Sequence, residues 1–387
     1  MMLRINRSML LATVIALATS ACGGNGAVLS NAGVAGAASR GAAPATDTTS
    51  ILKVLTKNVT IGSTVDPTNG DMGPRAISVV QSNFGELKKG QVLVCNFEDS
   101  SGVAGNGTTI EQFDPVASSK PTTFFQNSKI EGCDGDAINA DQVYATGFTS
   151  KAMVWINQKG QLKKTFGSPI TQPLGNGAGP MLYGYSPELV FVGNADTGAV
   201  DSFTFGGYGS GKGKEVINGF DVNKGSGWSA LGPSGIAYWC GQHGKSSCER
   251  PHPPDTLYVA DGACNAVVAI SHASALLLTD EITIQPGCTK FTCEYPTTTC
   301  ATLVKAGSPL DKPVAATLLP NGNLIVANTG NNTLVEMTPA GQVLDTKRLN
   351  KSKTPRIFGL AAIGTTDGNT ALFYTDIKTN TLHELEQ

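Results

Sequence analysis

Leu257-Tyr258-Val259-Ala260-Asp261-Gly262-Ala263-Cys264-Asn265-Ala266-Val267, Leu324-Ile325-Val326-Ala327-Asn328-Thr329-Gly330-Asn331-Asn332-Thr333-Leu334 and Leu372-Phe373-Tyr374-Thr375-Asp376-Ile377-Lys378-Thr379-Asn380-Thr381-Leu382 carry one pattern at one spacing. An apolar run ends in a small residue, then come an acid or amide, three turn residues, Asn, and a second apolar run. The runs read as strands, because Asp and Asn hydrogen-bond the backbone that follows them and so open turns. A strand-turn-strand unit that recurs along a chain marks an array of similar sheets.

Alignment on the small residue that ends the first run gives six copies, at Cys95, Ala145, Gly193, Ala260, Ala327 and Thr375. Their separations are 50, 48, 67, 67 and 48 residues. A period near 48 is too long for a hairpin ladder and suits a four-stranded sheet per repeat. The two long intervals each exceed it by about 19 residues, and their excesses fall near 239–254 and 279–304, where cysteines cluster. Gly73-Pro74, Gly179-Pro180, Gly232-Pro233 and Lys312-Pro313 each precede an apolar strand. Proline fits there, since it presets φ and cannot continue a central ladder. The expected fold is therefore all-β, a β-propeller of six four-stranded blades, with a seventh blade inside 100–135 as the alternative count. The last repeat stops at Leu385-Glu386, so a strand within 50–63 is expected to complete it and remove the open sheet edges.

Three segments divide the chain. Residues 1–22 read as a targeting signal: Arg4 and Arg7, an apolar run from Met9 to Ala18, then Thr19-Ser20-Ala21 before Cys22. A cysteine directly after such a site resembles a bacterial lipoprotein signal, with Thr19 departing from the aliphatic residue usual there. That resemblance implies lipidation at Cys22 and an outer-membrane, cell-surface or periplasmic lipoprotein; an ordinary secretory signal is the alternative, and both imply export. Residues 23–50 are Gly, Ala, Ser, Thr and Asn with few charges, which suits a flexible tether. Residues 51–387 form the propeller domain.

Composition excludes two partner classes. A net charge of −2 with 15% charged residues leaves no basic footprint for nucleic acid. It also leaves no polybasic membrane patch, so membrane attachment is expected through N-terminal lipid only. Beyond Cys22 there are eight cysteines: Cys95, Cys133, Cys240, Cys248, Cys264, Cys288, Cys293 and Cys300. An even number in an exported chain reads as disulfides. Eight cysteines allow 105 pairings. Loop lengths favour Cys240–Cys248 and Cys293–Cys300 within insertions, with Cys264–Cys288 and Cys95–Cys133 remaining. A metal site using His243 and His252 is the rival, but the spacings lack the close cysteine pairs of zinc sites.

The repeat resembles those of NHL-type β-propellers, with 231–270, 310–344 and 357–386 matching well, 179–204 matching with Gly198 in the Asn position, and 90–113 and 140–162 degenerate. Six-bladed proteins of that kind include gluconolactonase-like hydrolases and streptogramin-lyase-like enzymes, which implies a candidate activity. The early Glu-Gly-Pro-x-Trp signature of the former is absent, Met72 preceding Gly73-Pro74. The four histidines, His243, His252, His272 and His383, do not match the latter.

Two groups of residues could carry chemistry. Asn96, Glu98, Asn194, Asp196, Asp261, Asn328 and Asp376 would lie at one mouth of the channel and could hold Ca²⁺ or Mg²⁺; the other reading is that each stabilises its own turn. Trp228, Tyr238 and Trp239 could line a mouth for a glycan or peptide, or simply fill space between blades. Gly207–Lys214 lacks the order of a phosphate loop, and Ser234 lacks the context of a nucleophile elbow. No catalytic constellation stands out. The reading is a binding or scaffold protein of the cell envelope with a protein, peptide or glycan partner. A metal-dependent hydrolase or lyase with carboxylates at the channel mouth is the alternative.

Overall fold

The computed structural model describes residues 47–139, 142–178, 188–206, 209–225, 229–240, 255–276, 279, 281–364 and 369–387. Six sheets follow one another around a ring. The chain first forms β1 (Lys57–Ser63) and then blade 1 from β2 (Met72–Val79), β3 (Val92–Glu98), β4 (Thr109–Phe113) and β5 (Thr122–Gln126). Blade 2 is β6 (Cys133–Asn139), β7 (Gln142–Gly147), β8 (Ala152–Asn157) and β9 (Leu162–Phe166). Blade 3 is β10 (Pro173–Ala178), β11 (Glu188–Asn194), β12 (Ala199–Gly206) and β13 (Gly209–Asn218). Blade 4 opens with β14 (Pro233–Trp239), β15 (Thr256–Asp261) and β16 (Ala266–Ser271). The chain then leaves that blade for β17 (Ile282–Ile284) and β18 (Phe291–Cys293) before completing it with β19 (Cys300–Ala306). Blade 5 is β20 (Pro313–Leu318), β21 (Leu324–Asn328), β22 (Thr333–Met337) and β23 (Val343–Arg348). Blade 6 is β24 (Ile357–Gly364), β25 (Thr370–Asp376), β26 (Thr381–Glu386) and, outermost, β1.

All six alignment anchors fall on the second strand of a blade, and residues 100–135 hold the outer strands of blade 1 rather than a seventh blade. The expected closing strand is β1, antiparallel to β26 from Lys57↔Glu386 to Ser63↔Thr381. The innermost strands β2, β6, β10, β14, β20 and β24 touch in that order and β24 returns to β2. Closure of the ring leaves the innermost strands as short edges sheltered around the channel. Their middle layer is small because the strands converge there. A Cβ on Gly175 would stand 2.4 Å from the Ser234 carbonyl oxygen, and one on Gly235 2.7 Å from the Ala315 carbonyl carbon. Apolar side chains of successive blades fill the wedges between sheets, as with Leu257, Val259 and Val268 of blade 4 against Phe191 and Ile217 of blade 3.

The second insertion is more than a rim loop. β17 pairs in parallel with β13, so a hairpin that leaves blade 4 extends the sheet of blade 3 to six strands. Cys264–Cys288 fastens that hairpin to the blade 4 turn, and Cys293–Cys300 fastens it to β19. Cys95–Cys133 joins blade 1 to the first residue of blade 2. Cys240 is disulfide-bonded as well; the expected partner Cys248 lies outside the described residues, as do Trp228, His243 and His252. Cys22 and the tether up to residue 46 also lie outside them.

Near the start of the described chain, Glu336 is fully buried and accepts from Ser50 Oγ at 2.7 Å, Ile51 N–H at 3.1 Å and Leu52 N–H at 2.8 Å. Ile51, Leu52 and Leu55 pack on Leu319, Ile325 and Leu334. The segment is thus docked beside the 319–323 turn that follows β20. Among the described residues no helix is long and apolar enough to cross a membrane.

Candidate functional site

Near its start, each innermost strand lies opposite an acid, amide or glycine at or near the end of the second strand. The pairs are Pro74↔Asn96, Cys133↔Gly147, Pro173↔Asn194, Pro233↔Asp261, Pro313↔Asn328 and Ile357↔Asp376. In all six blades the register slips immediately afterwards. The extra residue is Arg75, Asp134, Leu174, Ser234, Val314 or Phe358. A β-bulge re-aims the side chain it adds, and all six of these residues line the central channel.

Their layer closes one end of the channel. Arg75 Nε lies 2.7 Å from Asp134 Oδ1, and both side chains are buried. The Arg75 guanidinium also covers the rings of Phe97, at 4.5 Å, and Phe358, at 5.0 Å. Burial pushes the Asp134 carboxyl up, the Arg75 charge opposes that shift, and burial likewise lowers Arg75. An ion pair in this position is costly to break, because removing one partner strands the other charge in low dielectric.

Beyond that floor the channel encloses about 300 Å³. One wall is polar: Ser78, Asp136 and Asn176 come from blades 1 to 3, above Ser234 of the floor. The other wall is apolar, with Ala316, Leu360 and Ala361 from blades 5 and 6. Ser78 Oγ donates to Asp136 Oδ2 at 2.8 Å. Asp136 Oδ1, Asn176 Oδ1 and Ser234 Oγ have no hydrogen-bond partner. Burial raises the Asp136 carboxyl to about 7, against the Ser78 hydrogen bond. The floor residues are buried, whereas Ile138, Tyr238, Leu318 and Ile363 at the opposite end are half-buried. The channel is therefore a cup whose rim lies at the end where residues 50–55 dock.

The acids and amides singled out in the sequence lie at the floor end and are committed to loops. Asn96 Nδ2 donates to the Thr64 carbonyl and Asn328 Nδ2 to the Pro309 carbonyl, each at 2.9 Å, while Asn194 Oδ1 accepts from Thr171 N–H at 3.0 Å. Asp261 Oδ1 accepts from Ala263 N–H at 2.7 Å, and Asp376 Oδ1 from Lys378 N–H at 2.9 Å. Asp376 also holds Arg356 at both oxygens, and Thr171 Oγ1 donates to Asp196. Glu98 ends β3 opposite Met72. Burial raises Asp261 to about 7, opposed by the two backbone N–H groups of its turn. Among the described residues, the three candidate metal ligands brought within reach of one another are Asp221, Cys264 and Cys288, and the two cysteines form a disulfide.

The second recurring residue has a different task. Asn265, Asn332 and Asn380 have φ of 51°, 57° and 51°, a left-handed conformation that Asn tolerates. Each side-chain oxygen accepts an N–H at the start of the next blade: Lys312 at 2.5 Å, Arg356 at 2.9 Å and Gly73 at 2.9 Å. Blades 4 to 6 are thereby stitched to blades 5, 6 and 1. The aromatics are also built in. The Tyr238 hydroxyl donates to Asp255 at 2.6 Å with its ring stacked on Phe191, and Trp239 packs in the wedge with Tyr258 and Leu324.

Sequence reasoning did not single out Arg75, Asp134, Asp136 or Asn176. One signal was present, since Arg75, Ser234 and Val314 each follow a proline at or near the start of an innermost strand. Another was the interruption Cys133-Asp134-Gly135-Asp136 in a strand otherwise expected to be apolar.

No protein-family model matches the sequence, and no curated protein does. Solved structures do match. Virginiamycin B lyase from Staphylococcus aureus is 16% identical over 86% of this chain and 88% of its own, with a TM-score of 0.44. A streptogramin B lyase is 12% identical over 85% of this chain and 96% of its own, at 0.47. The WD40 β-propeller domain of Doa1 is 9% identical over 86% of this chain and 98% of its own, at 0.47. At such identities these are likenesses of fold alone.

Proposed function

We propose that this chain is an exported, lipid-anchored binding protein of the cell envelope that receives a segment of a peptide or glycan in its central channel. One observation carries the binding reading: a cup of about 300 Å³ with one polar and one apolar wall. That is the lower bound of volumes that enclose small ligands, and an apolar lining with a few convergent polar groups is their usual character. Ser78, Asp136, Asn176 and Ser234 would face the hydroxyl or amide edge of the guest, and Ala316, Leu360 and Ala361 its apolar face. Disulfides within and between blades support export, because reducing compartments do not sustain them. The sequence around Cys22 supports the anchor.

The test is calorimetric titration of the full chain, in detergent, with short peptides and envelope-derived oligosaccharides. Binding weakened at least tenfold by Asp136→Ala or Asn176→Ala supports the reading. Binding indifferent to both removes the channel from it. Fatty-acid labelling that disappears with Cys22→Ser tests the anchor. The metal-dependent hydrolase or lyase reading has one observation in its favour, two carboxyls, Asp134 and Asp136, raised by burial in a single channel. It requires product formation that depends on a divalent ion and is abolished by Asp136→Asn.

A further inference from the structure

The floor side of the propeller, opposite the cup's mouth, carries its charge in sectors. Four segments meet there where blades 5 and 6 join: residues 311–312 before β20, the 329–332 turn, the stretch 347–356 that leads into β24, and the 377–380 turn. Hydrogen bonds set them side by side. Thr329 N–H donates to the Lys312 carbonyl at 3.0 Å, and Asn332 Nδ2 to the Ser352 and Thr354 carbonyls at 3.1 and 2.9 Å. Ile377 N–H completes the series by donating to the Arg356 carbonyl at 2.9 Å.

These segments present Lys312, Lys347, Arg348, Lys351, Lys353 and Lys378, all exposed except the half-buried Lys347. None of the six forms an ion pair with a described residue. A seventh cation, Arg356, is held by Asp376. Residues 311–312, 343–356 and 376–380 thus hold seven cations against three acids, an excess that the chain's net charge of −2 hides. The floor loops of blade 1 are the reverse: residues 64–71 and 98–108 contain Asp66, Asp71, Glu98 and Asp99 and no Lys or Arg.

The cationic stretch is folded. Besides the two carbonyls held by Asn332, Ser352 N–H donates to Asn350 Oδ1 at 2.7 Å, and Arg348 Nε and Nη2 donate to the Asn350 and Lys351 carbonyls at 3.0 and 3.3 Å. Like charges held this close on a fixed loop repel one another, and a bound counter-charge offsets that repulsion. A protein interface would need an apolar or aromatic centre. Residues 347–356 contain no aromatic; Leu349 packs on the core, and Pro355 is the sole exposed apolar residue. Single-stranded nucleic acid would likewise want aromatic faces for its bases. What the sector does offer beside its cations is hydroxyls, Ser352, Thr354 and Thr379, which suit the hydroxyls of sugars. We propose that this sector binds a linear anionic glycan, bearing carboxylate or phosphate groups, laid across the floor side of blades 5 and 6 and ending where the acids of blade 1 repel it.

This surface is distinct from the cup and does not depend on what the cup binds. The test is calorimetric titration of the full chain with polygalacturonate, phosphomannan and neutral dextran, at 50 and 200 mM NaCl. At least one of the two charged glycans should bind, which one telling carboxylate from phosphate, and dextran should not. Affinity should fall by about tenfold or more across that salt range, because binding releases counterions. Lys351→Glu with Lys353→Glu should weaken binding by about tenfold or more and flatten its salt dependence. Both positions are exposed, so the double variant should fold. Lys88→Glu with Lys89→Glu, an equal change of charge at the rim end, should leave binding unchanged. Absence of heat with both charged glycans at 50 mM NaCl would overturn the proposal, as would equal losses in the two double variants. Tighter binding of oligothymidylate than of either glycan would assign the sector to nucleic acid instead, and self-association lost in the Lys351, Lys353 variant without glycan binding would assign it to a second copy of the chain.

Discussion

Two layers of this propeller repeat in opposite ways. At the blade junctions the same residue recurs, and Asn265, Asn332 and Asn380 each accept an N–H from the start of the following blade. At the channel floor the same backbone slip recurs, yet it presents Arg75, Asp134, Leu174, Ser234, Val314 and Phe358 in turn. A repeated side chain in a repeated geometry serves what every blade needs, which is attachment to its neighbour. A repeated geometry with varied side chains gives each blade an individual contribution to the axis. The junctions therefore hold the frame, and the channel is where this molecule differs from a bare frame.

The largest expected effect lies in the channel floor. Arg75→Ala leaves Asp134 buried without its partner and should cost about 3–5 kcal/mol of stability, measured by urea unfolding. Replacing both partners with apolar residues, Arg75→Met with Asp134→Leu, should recover most of that loss. Recovery would make the pair dispensable to folding and sharpen the contrast; no recovery would make the floor a frame element too.

Next comes a junction. Asn332 accepts from Arg356 N–H and donates to the Ser352 and Thr354 carbonyls, at 3.1 and 2.9 Å, from a left-handed backbone. Asn332→Ala should cost about 2–3 kcal/mol, from lost hydrogen bonds and positive φ. Asn332→Gly should lose less, because glycine accepts the conformation. Equal losses would show that the side-chain stitch contributes nothing beyond the conformation.

A pH dependence, rather than a loss at one pH, separates Asp136 from the junctions. Its folded value of about 7 lies above the ordinary value of 3.8. The stability it contributes is therefore fully present below pH ~4 and is lost as pH rises to about 7. Relative to Asp136→Asn, the unaltered chain should lose up to about 1.4 kcal/mol per pH unit across that window, read from unfolding at each pH. A flat difference between the two would place Asp136 in an environment that stabilises its charge. The smallest effect is at the exposed Lys57–Glu386 pair of the closing strand, where Lys57→Ala should leave the melting temperature nearly unchanged.

Most of the frame was legible because its signals are local. Cys95 and the other five anchors mark second strands through apolar runs, and Asp or Asn marks most of the turns that follow. A closing strand was expected within 50–63 from the incomplete final repeat, and β1 at Lys57–Ser63 supplies it. The hairpin of β17 and β18 was not legible as an extension of blade 3. Strands of three residues carry no period, and the pairing of Ile217 with Ile282 joins positions far apart in sequence. The channel groups were hidden for a similar reason: which side chain of a strand faces the axis depends on the bulge, and the bulge is set by pairing.

Density in the channel of a high-resolution structure, from protein isolated out of its own membranes, tests the central claim most directly. A non-protein molecule is expected in the cup, contacting Asp136 or Asn176 on one side and Leu360 or Ala361 on the other, with the turns at Asp261, Asn328 and Asp376 occupied only by their own hydrogen bonds. A channel holding water alone, with a ligand or ion bridging those turn residues instead, would contradict it.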